Sequence, residues 1–167
     1  LALLASHGIK VPYTVVKPLF GSKGLGSTLI KDKDFAWRIY ADLKFMKHVL
    51  YIQEFMEHGG RDIRAFVVGD RVVAAMFRER PGSWKTNISR GAKPVPYKPE
   101  PEVEELAIKA SKILGCDIAG VDILDIKGEK YVIEVNSQPG WKGIQSVTKV
   151  DIAKKIIDYV VEEKIKR

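Results

Sequence analysis

The chain has 167 residues, of which 46% are hydrophobic and 29% charged, enough for one ordinary globular domain with a real core. No apolar run is long enough to span a bilayer as a helix, no signal-peptide pattern opens the chain, and the single cysteine, Cys116, excludes an internal disulfide framework and fits a reducing, cytoplasmic compartment. The formal net charge of +7 admits nucleic acid, a membrane surface or an anionic substrate as partner, or simply a solvated Lys-rich exterior. The C-terminal "VVEEKIKR" mixes both signs, as a solvated face does, whereas Lys17, Lys23, Arg64, Arg78, Lys85 and Arg90 fall outside helix faces and need another account. His7, His48 and His58 show no metal-ligand spacing with Cys116, which argues against zinc.

In chain order, "LALLASHGIKVPYT" reads as a short helix closed by Gly8, then a turn into a strand around Pro12. The strand-like "VPYT" runs straight into "VVKP" without turn residues, so residues are expected to be absent between Thr14 and Val15. "VVKPLFGSKGLGSTLI" reads as strand, glycine loop and strand, a hairpin. "DKDFAWRIYADLKFMKH" reads as a helix with Asp34 available as N-cap and a stripe of Phe35, Ile39, Leu43 and Met46. "VLYIQEFM" is a strand, and "GRDIRAFVVGDRVVAAMFRE" is two strands joined by Gly69-Asp70. A long polar loop follows, then a helix from about Pro101 to Leu114 with Glu102, Glu104 and Glu105 early and Gly115 after it. "CDIAGVDILDI" and "YVIEVNS" are strands around "KGEK", and an amphipathic helix through Ile152, Ile156, Tyr159 and Val160 ends the chain. This is an α+β pattern with a mostly antiparallel sheet covered by helices.

Two stretches carry chemistry. The loop with Gly21, Gly24 and Gly26 lets backbone N–H groups curl around an anion, and Lys17 and Lys23 can meet phosphate oxygens. It matches neither the Walker nor the dinucleotide pattern, since strand rather than helix follows. In the last hairpin, a loop of Lys127, Gly128 and Glu129 pairs Ile126 with Lys130, Leu124 with Val132 and Asp122 with Glu134. Two opposed carboxylates about 5 Å apart at Cβ require a shared proton or a cation. Asn136 adds a third oxygen on the same face, and oxygen donors without His or Cys suit magnesium. The alternative is an exposed sheet face, with a type I′ turn of Gly128-Glu129 setting Asp122 against Val135.

The ordered set of strand lysine, glycine loop, "QEF", "GGRDIR", "WKTN", "SRGA", "AGVDIL" and "EVNSQPGW" resembles an ATP-grasp ligase of the RimK type, the alpha-L-glutamate ligases, from about Val15 onward. The resemblance implies two α+β subdomains, residues 1–55 with the glycine loop and 56–167 with the catalytic groups, gripping ATP between mostly antiparallel sheets. It also implies a preceding domain. The implied reaction activates a carboxylate with ATP as an acyl phosphate, which an amine attacks to give an amide. Lys17, Lys23 and Gly24 would contact nucleotide phosphates, and Glu54 and Phe55 would form the adenine hinge. Asp62 would approach the ribose or else pair with Arg64. Lys85 and Asn87 stand where relatives often carry Arg-x-Asn, so the bidentate fork is lost there. Asp122, Glu134 and Asn136 would hold two magnesium or manganese ions. Arg78 would serve the transferring or acyl phosphate, and Arg90 a phosphate or the amino acid's carboxylate. The implied partners are ATP, an amino acid such as glutamate and a carboxylate acceptor on a protein, coenzyme or carrier, with no membrane and no nucleic acid; a homo-oligomer is compatible. Two other readings stand beside it: another ATP-grasp enzyme of the purine-pathway or carboxylase type, and a basic nucleic-acid-binding module. Against the latter, aromatic residues do not interleave with the basic ones as stacking platforms.

Overall fold

A computed structural model describes residues 6–9, 17–18 and 27–165. The chain divides into two compact units, one of Pro12–Met56 and one of Leu1–Val11 with Glu57–Arg167. Lys23, Gly24, the expected strand around Pro12 and the Thr14–Val15 junction lie outside the described residues.

In the unit Pro12–Met56, strand β1 (Lys17–Pro18) pairs antiparallel with β2 (Leu50–Tyr51), with Lys17 opposite Tyr51. Helix α1 (Lys33–Phe45) is capped by Asp32, not Asp34, because the Asp32 carboxylate accepts from the Phe35 N–H at 2.7 Å. A capping oxygen serves the amide three residues on, which places Asp34 in the first turn, where its charge still complements the helix dipole. Of the expected apolar stripe, Ile39 and Leu43 are half-buried while Phe35 and Met46 are exposed.

The larger unit is built on a five-stranded antiparallel sheet in the order β5-β4-β3-β6-β7. Its strands are β3 (Arg61–Val68), β4 (Arg71–Glu79), β5 (Lys93–Pro96), β6 (Ile118–Ile126) and β7 (Glu129–Asn136). Helix α2 (Pro101–Ile113) covers one face. Val103, Ala107 and Ala110 of α2 cluster with Ile63, Ala65 and Val67 of β3, Val121 and Ile123 of β6 and Val132 of β7. Proline at the first helical position and Gly115 just past the end, at φ +66°, bound the helix. On the other face, Phe66, Ala74 and Met76 meet Ile144 of the helical turn α3 (Lys142–Gln145) and Ile152 of α4 (Ile152–Val160). Trp141 closes on Phe66 edge to face at 6.3 Å. No helix among the described residues is long and apolar enough to cross a membrane.

The β6–β7 hairpin differs from the expected three-residue loop. Its turn is Lys127-Gly128, with φ of 53° and 90°, so that Ile126 opposes Glu129 and Asp125 opposes Lys130. Two consecutive positive φ values make the tight turn whose twist matches the strands. The pairing then continues to Ile123 opposite Val132, and a bulge at Ile133 inserts one residue before Asp122 meets Glu134. Asp125 clasps this turn: its carboxylate accepts from Gly128 N at 2.9 Å and from Lys130 Nζ at 2.5 Å.

The Lys130 hydrogen bond holds the Asp125 carboxyl below its ordinary value, against the opposing effect of burial. Such a group contributes stability in full above the ordinary carboxylate range and loses it as pH falls through the lowered value. Urea unfolding between about pH 6 and pH 2 should therefore show an acid-side loss of stability that shrinks in Asp125→Asn. At the β3–β4 turn, Gly69 has φ +62° and an added Cβ would lie 2.5 Å from Tyr159 Cε2, whereas Gly82 at φ +77° faces open space. Gly69→Ala should cost about 3 kcal/mol and Gly82→Ala about 1 kcal/mol, read from the same unfolding curves.

Candidate functional site

Alternate residues of a strand share a face, so Asp62, Arg64 and Phe66 of β3 project to the side away from α2. Sheet pairing sets Asp62 opposite Arg78 on β4 and Arg64 opposite Asp122 on β6, and Asp122 stands opposite Glu134 on β7. Four of these five charges, those of Asp62, Arg78, Arg64 and Asp122, meet in direct ion pairs at one end of the sheet. Arg78 donates through Nε to Asp62 Oδ1 at 2.7 Å and through Nη2 to Asp62 Oδ2 at 2.6 Å. The same Nη2 lies 2.9 Å from Asp122 Oδ2. Arg64 donates through Nη2 to Asp122 Oδ2 at 3.2 Å, and its Nε lies 2.5 Å from Oδ1. Thr86, from the loop after β4, donates its hydroxyl to Asp62 Oδ2 at 2.6 Å. Asp62 thus pairs with Arg78 and Thr86, and the expected alternative partner, Arg64, belongs to Asp122.

Burial is deep. Asp62, Arg78, Thr86 and Asp122 are all buried, with Asp62 and Asp122 each only 2% exposed. Two carboxylates and two guanidiniums cancel, which is the condition under which charges persist in such a place. Burial alone would lower the Arg78 pKa, but Asp122 and Asp62 outweigh it and hold the guanidinium firmly charged.

One oxygen is left over. Asp122 Oδ1 is buried and makes no hydrogen bond among the described residues, since Arg64 Nε approaches it without hydrogen-bond alignment. Beside it on the same face stand Glu134, exposed, and Asn136, half-buried and paired with Gly120. A buried oxygen with no hydrogen bond, a carboxylate and an amide are the donors a hard divalent cation takes. The described residues contain no group of three His, Cys, Asp or Glu side chains with metal-site geometry; the expected trio has the Asn136 amide as its third donor.

The loop from Gly82 to Gly91 carries the next expected residues. Lys85 lies with Nζ 4.8 Å from the Trp84 ring centroid, and burial, then the nearby Arg90 charge, lower its pKa. Asn87 starts the 3-10 turn Ile88–Arg90, its carbonyl accepting from Arg90 N at 2.9 Å, and Gly91 closes the turn at φ 92°. Glu54, exposed, and Phe55, half-buried, belong to the unit Pro12–Met56, as does Lys17, described here by its backbone in β1. Arg64, Thr86 and Gly120 were not expected as site residues. The signal for Arg64 was its two-residue spacing from Asp62 on one strand. Its pairing with Asp122 required knowing that β3 and β6 are neighbours.

Removing the shared cation exposes what the lattice costs. Arg78→Met should leave Asp62 and Asp122 short of a partner and destabilise the protein by about 3–5 kcal/mol, with Arg78→Lys intermediate, both measured by urea unfolding at neutral pH.

The model of the RimK-like ATP-grasp domain matches residues 2–160. A probable alpha-L-glutamate ligase of Coxiella burnetii (strain RSA 493 / Nine Mile phase I) is 43% identical over 148 residues, covering 87% of this chain and 49% of the relative. A second, from Hahella chejuensis, is 42% identical over 151 residues, covering 89% and 50%. The chain therefore spans about half the length of the curated relatives it matches. Among solved structures, the ATP-grasp ligase PsnB in complex with a phosphomimetic variant of its minimal precursor, Mg and ADP has a TM-score of 0.74 at 22% identity, covering 96% of this chain and 56% of that one. These likenesses make the fold ATP-grasp, and the family match with the sequence identities leads to one statement: the chain belongs to the RimK-like ATP-grasp domain family.

Proposed function

We propose that the chain is the ATP-binding and catalytic part of an ATP-dependent carboxylate–amine ligase, one that adds an amino acid, glutamate first among the candidates, to a carboxylate acceptor on a protein or coenzyme. The observation that carries this reading is the buried Oδ1 of Asp122, without a hydrogen bond among the described residues, beside Glu134 and Asn136 and set against the buried Arg78 and the half-buried Arg64. The names of the curated relatives support glutamate, and the PsnB complex with Mg and ADP supports nucleotide and magnesium.

In the proposed reaction an acceptor carboxylate oxygen attacks the γ-phosphorus of ATP, and the bond to the ADP oxygen breaks. The amine then attacks the acyl carbon, phosphate leaves with the bonding electrons, and the amine proton passes to a base. Such chemistry is mostly positioning and charge neutralisation. Arg78, whose fork is fixed by Asp62, would stabilise the transferring phosphoryl or the acyl phosphate, and Arg90 with Lys85 and Asn87 a phosphate or the amino acid's carboxylate. Lys17, Lys23 and Gly24 would meet the nucleotide phosphates, and Glu54 and Phe55 the adenine. Asp62 acts in this reading through Arg78; a ribose hydroxyl reaching it would have to displace Thr86 from Oδ2. Asp122, Glu134 and Asn136 would hold the divalent ions, two in number and replaceable by manganese, which when bound neutralise phosphate oxygens. ATP dependence and the lone cysteine fit a cytoplasmic setting. The charge excess is less of an argument for nucleic acid once Arg64 and Arg78 are spent on internal pairs.

The test is ADP release by the full protein with magnesium, ATP, glutamate and a panel of carboxylate acceptors. We expect release to depend on both acceptor and amine, and Asp122→Asn to lower it by about 100-fold or more. ADP release indifferent to acceptor and amine, or RNA binding in place of nucleotide binding, would defeat the reading.

A further inference from the structure

The lone pairs of Asp122 can be counted. A carboxylate offers about four acceptor positions, two on each oxygen. Arg64 Nη2 and Arg78 Nη2 converge on Oδ2, at 3.2 and 2.9 Å, which fills it. Oδ1 has only the unaligned approach of Arg64 Nε. The two arginines therefore do different work: Arg78 is anchored in Asp62 by two hydrogen bonds, while the Arg64 fork is spent wholly on Asp122.

The place for that fork is written in Gly120. A Cβ built there would overlap Arg64 Nη1 and lie 2.8 Å from Pro139 Cβ. Gly120 sits two residues before Asp122 on the same face of β6 and opposite Asn136. The space its missing side chain leaves is thus shared by the guanidinium that grips one expected metal donor and by the buried proline three residues after another.

We infer that Arg64 is a positioning residue for Asp122: admitted by Gly120, its guanidinium approaches both oxygens and fixes the carboxylate so that Oδ2 is filled by two arginines while Oδ1, met by Nε on one side, keeps a lone pair for a divalent cation. This rests on the ligase reading of the site. Lysine keeps the charge but holds a single point, so it cannot set the rotation of the carboxylate. Groups that orient a metal ligand typically govern metal affinity by about 10- to 100-fold.

The experiment is a titration of the full protein with Mn²⁺, followed by electron paramagnetic resonance in the presence of a non-hydrolysable ATP analogue, for wild type, Arg64→Lys and Gly120→Ala. Binding of the analogue without metal and thermal melting are measured alongside. We expect both variants to weaken Mn²⁺ binding by about 10- to 100-fold with little change in metal-free nucleotide binding, and excess metal to restore most of the turnover of Arg64→Lys. If one variant fails to fold, the other decides. Unchanged Mn²⁺ binding beside reduced turnover would overturn the inference and make Arg64 a substrate contact. Wild-type protein that takes no Mn²⁺ with the nucleotide would instead overturn the ligase reading itself.

Discussion

Everything at this end of the sheet hangs on the mutual neutralisation of four packed charges, three buried and one, Arg64, half-buried. Moving one carboxylate or one guanidinium out of water costs several kcal/mol, so none of Asp62, Arg78, Arg64 and Asp122 can be understood alone. The strand order supplies the solution. Because β3 lies between β4 and β6, one strand presents an acid to the arginine of one neighbour and an arginine to the acid of the other. Alternation along β3 keeps both on the face away from α2.

The two faces of the sheet divide the work. Behind it, small alanines bring α2 close and make the strands rigid through a dry cluster of valines and isoleucines. In front, apolar packing under α3 and α4 gives way along the strands to ionic pairing. A rigid back layer is what allows the front one to hold charged groups at fixed distances, since a guanidinium fork tolerates little displacement before its paired bonds fail.

Much of this was legible from the residues, and the rest was not for identifiable reasons. Strands β3, β4, β6 and β7 and the helix from Pro101 follow from alternation, turn residues and capping, whereas β5 lies in a stretch that reads as polar loop. Asp122 does stand opposite Glu134, but by a two-residue turn and a bulge in place of the expected three-residue turn. The turn itself was misread by one residue, because Lys127 taking φ 53° is a conformation that lysine rarely adopts and no local pattern announces. The bulge at Ile133 was invisible for a related reason: neither glycine nor proline stands beside it, so no breaker residue announces it. The partner of Arg64 could not be read at all, since it depends on which non-consecutive strands adjoin. The N-cap at Asp32 was legible in principle, two acids being equally spaced from a helix start and only geometry choosing between them.

That bulge has an evolutionary corollary. A one-residue slip in a β-ladder turns every later side chain to the wrong side. Here the surplus residue is absorbed at Ile133, between the turn and the acidic end of the hairpin, so the two ends keep separate phase. A three-residue turn with no bulge would bring Asp122 to the same partner, so a residue can pass between the tip of the hairpin and the bulge without moving the acidic end of the ladder.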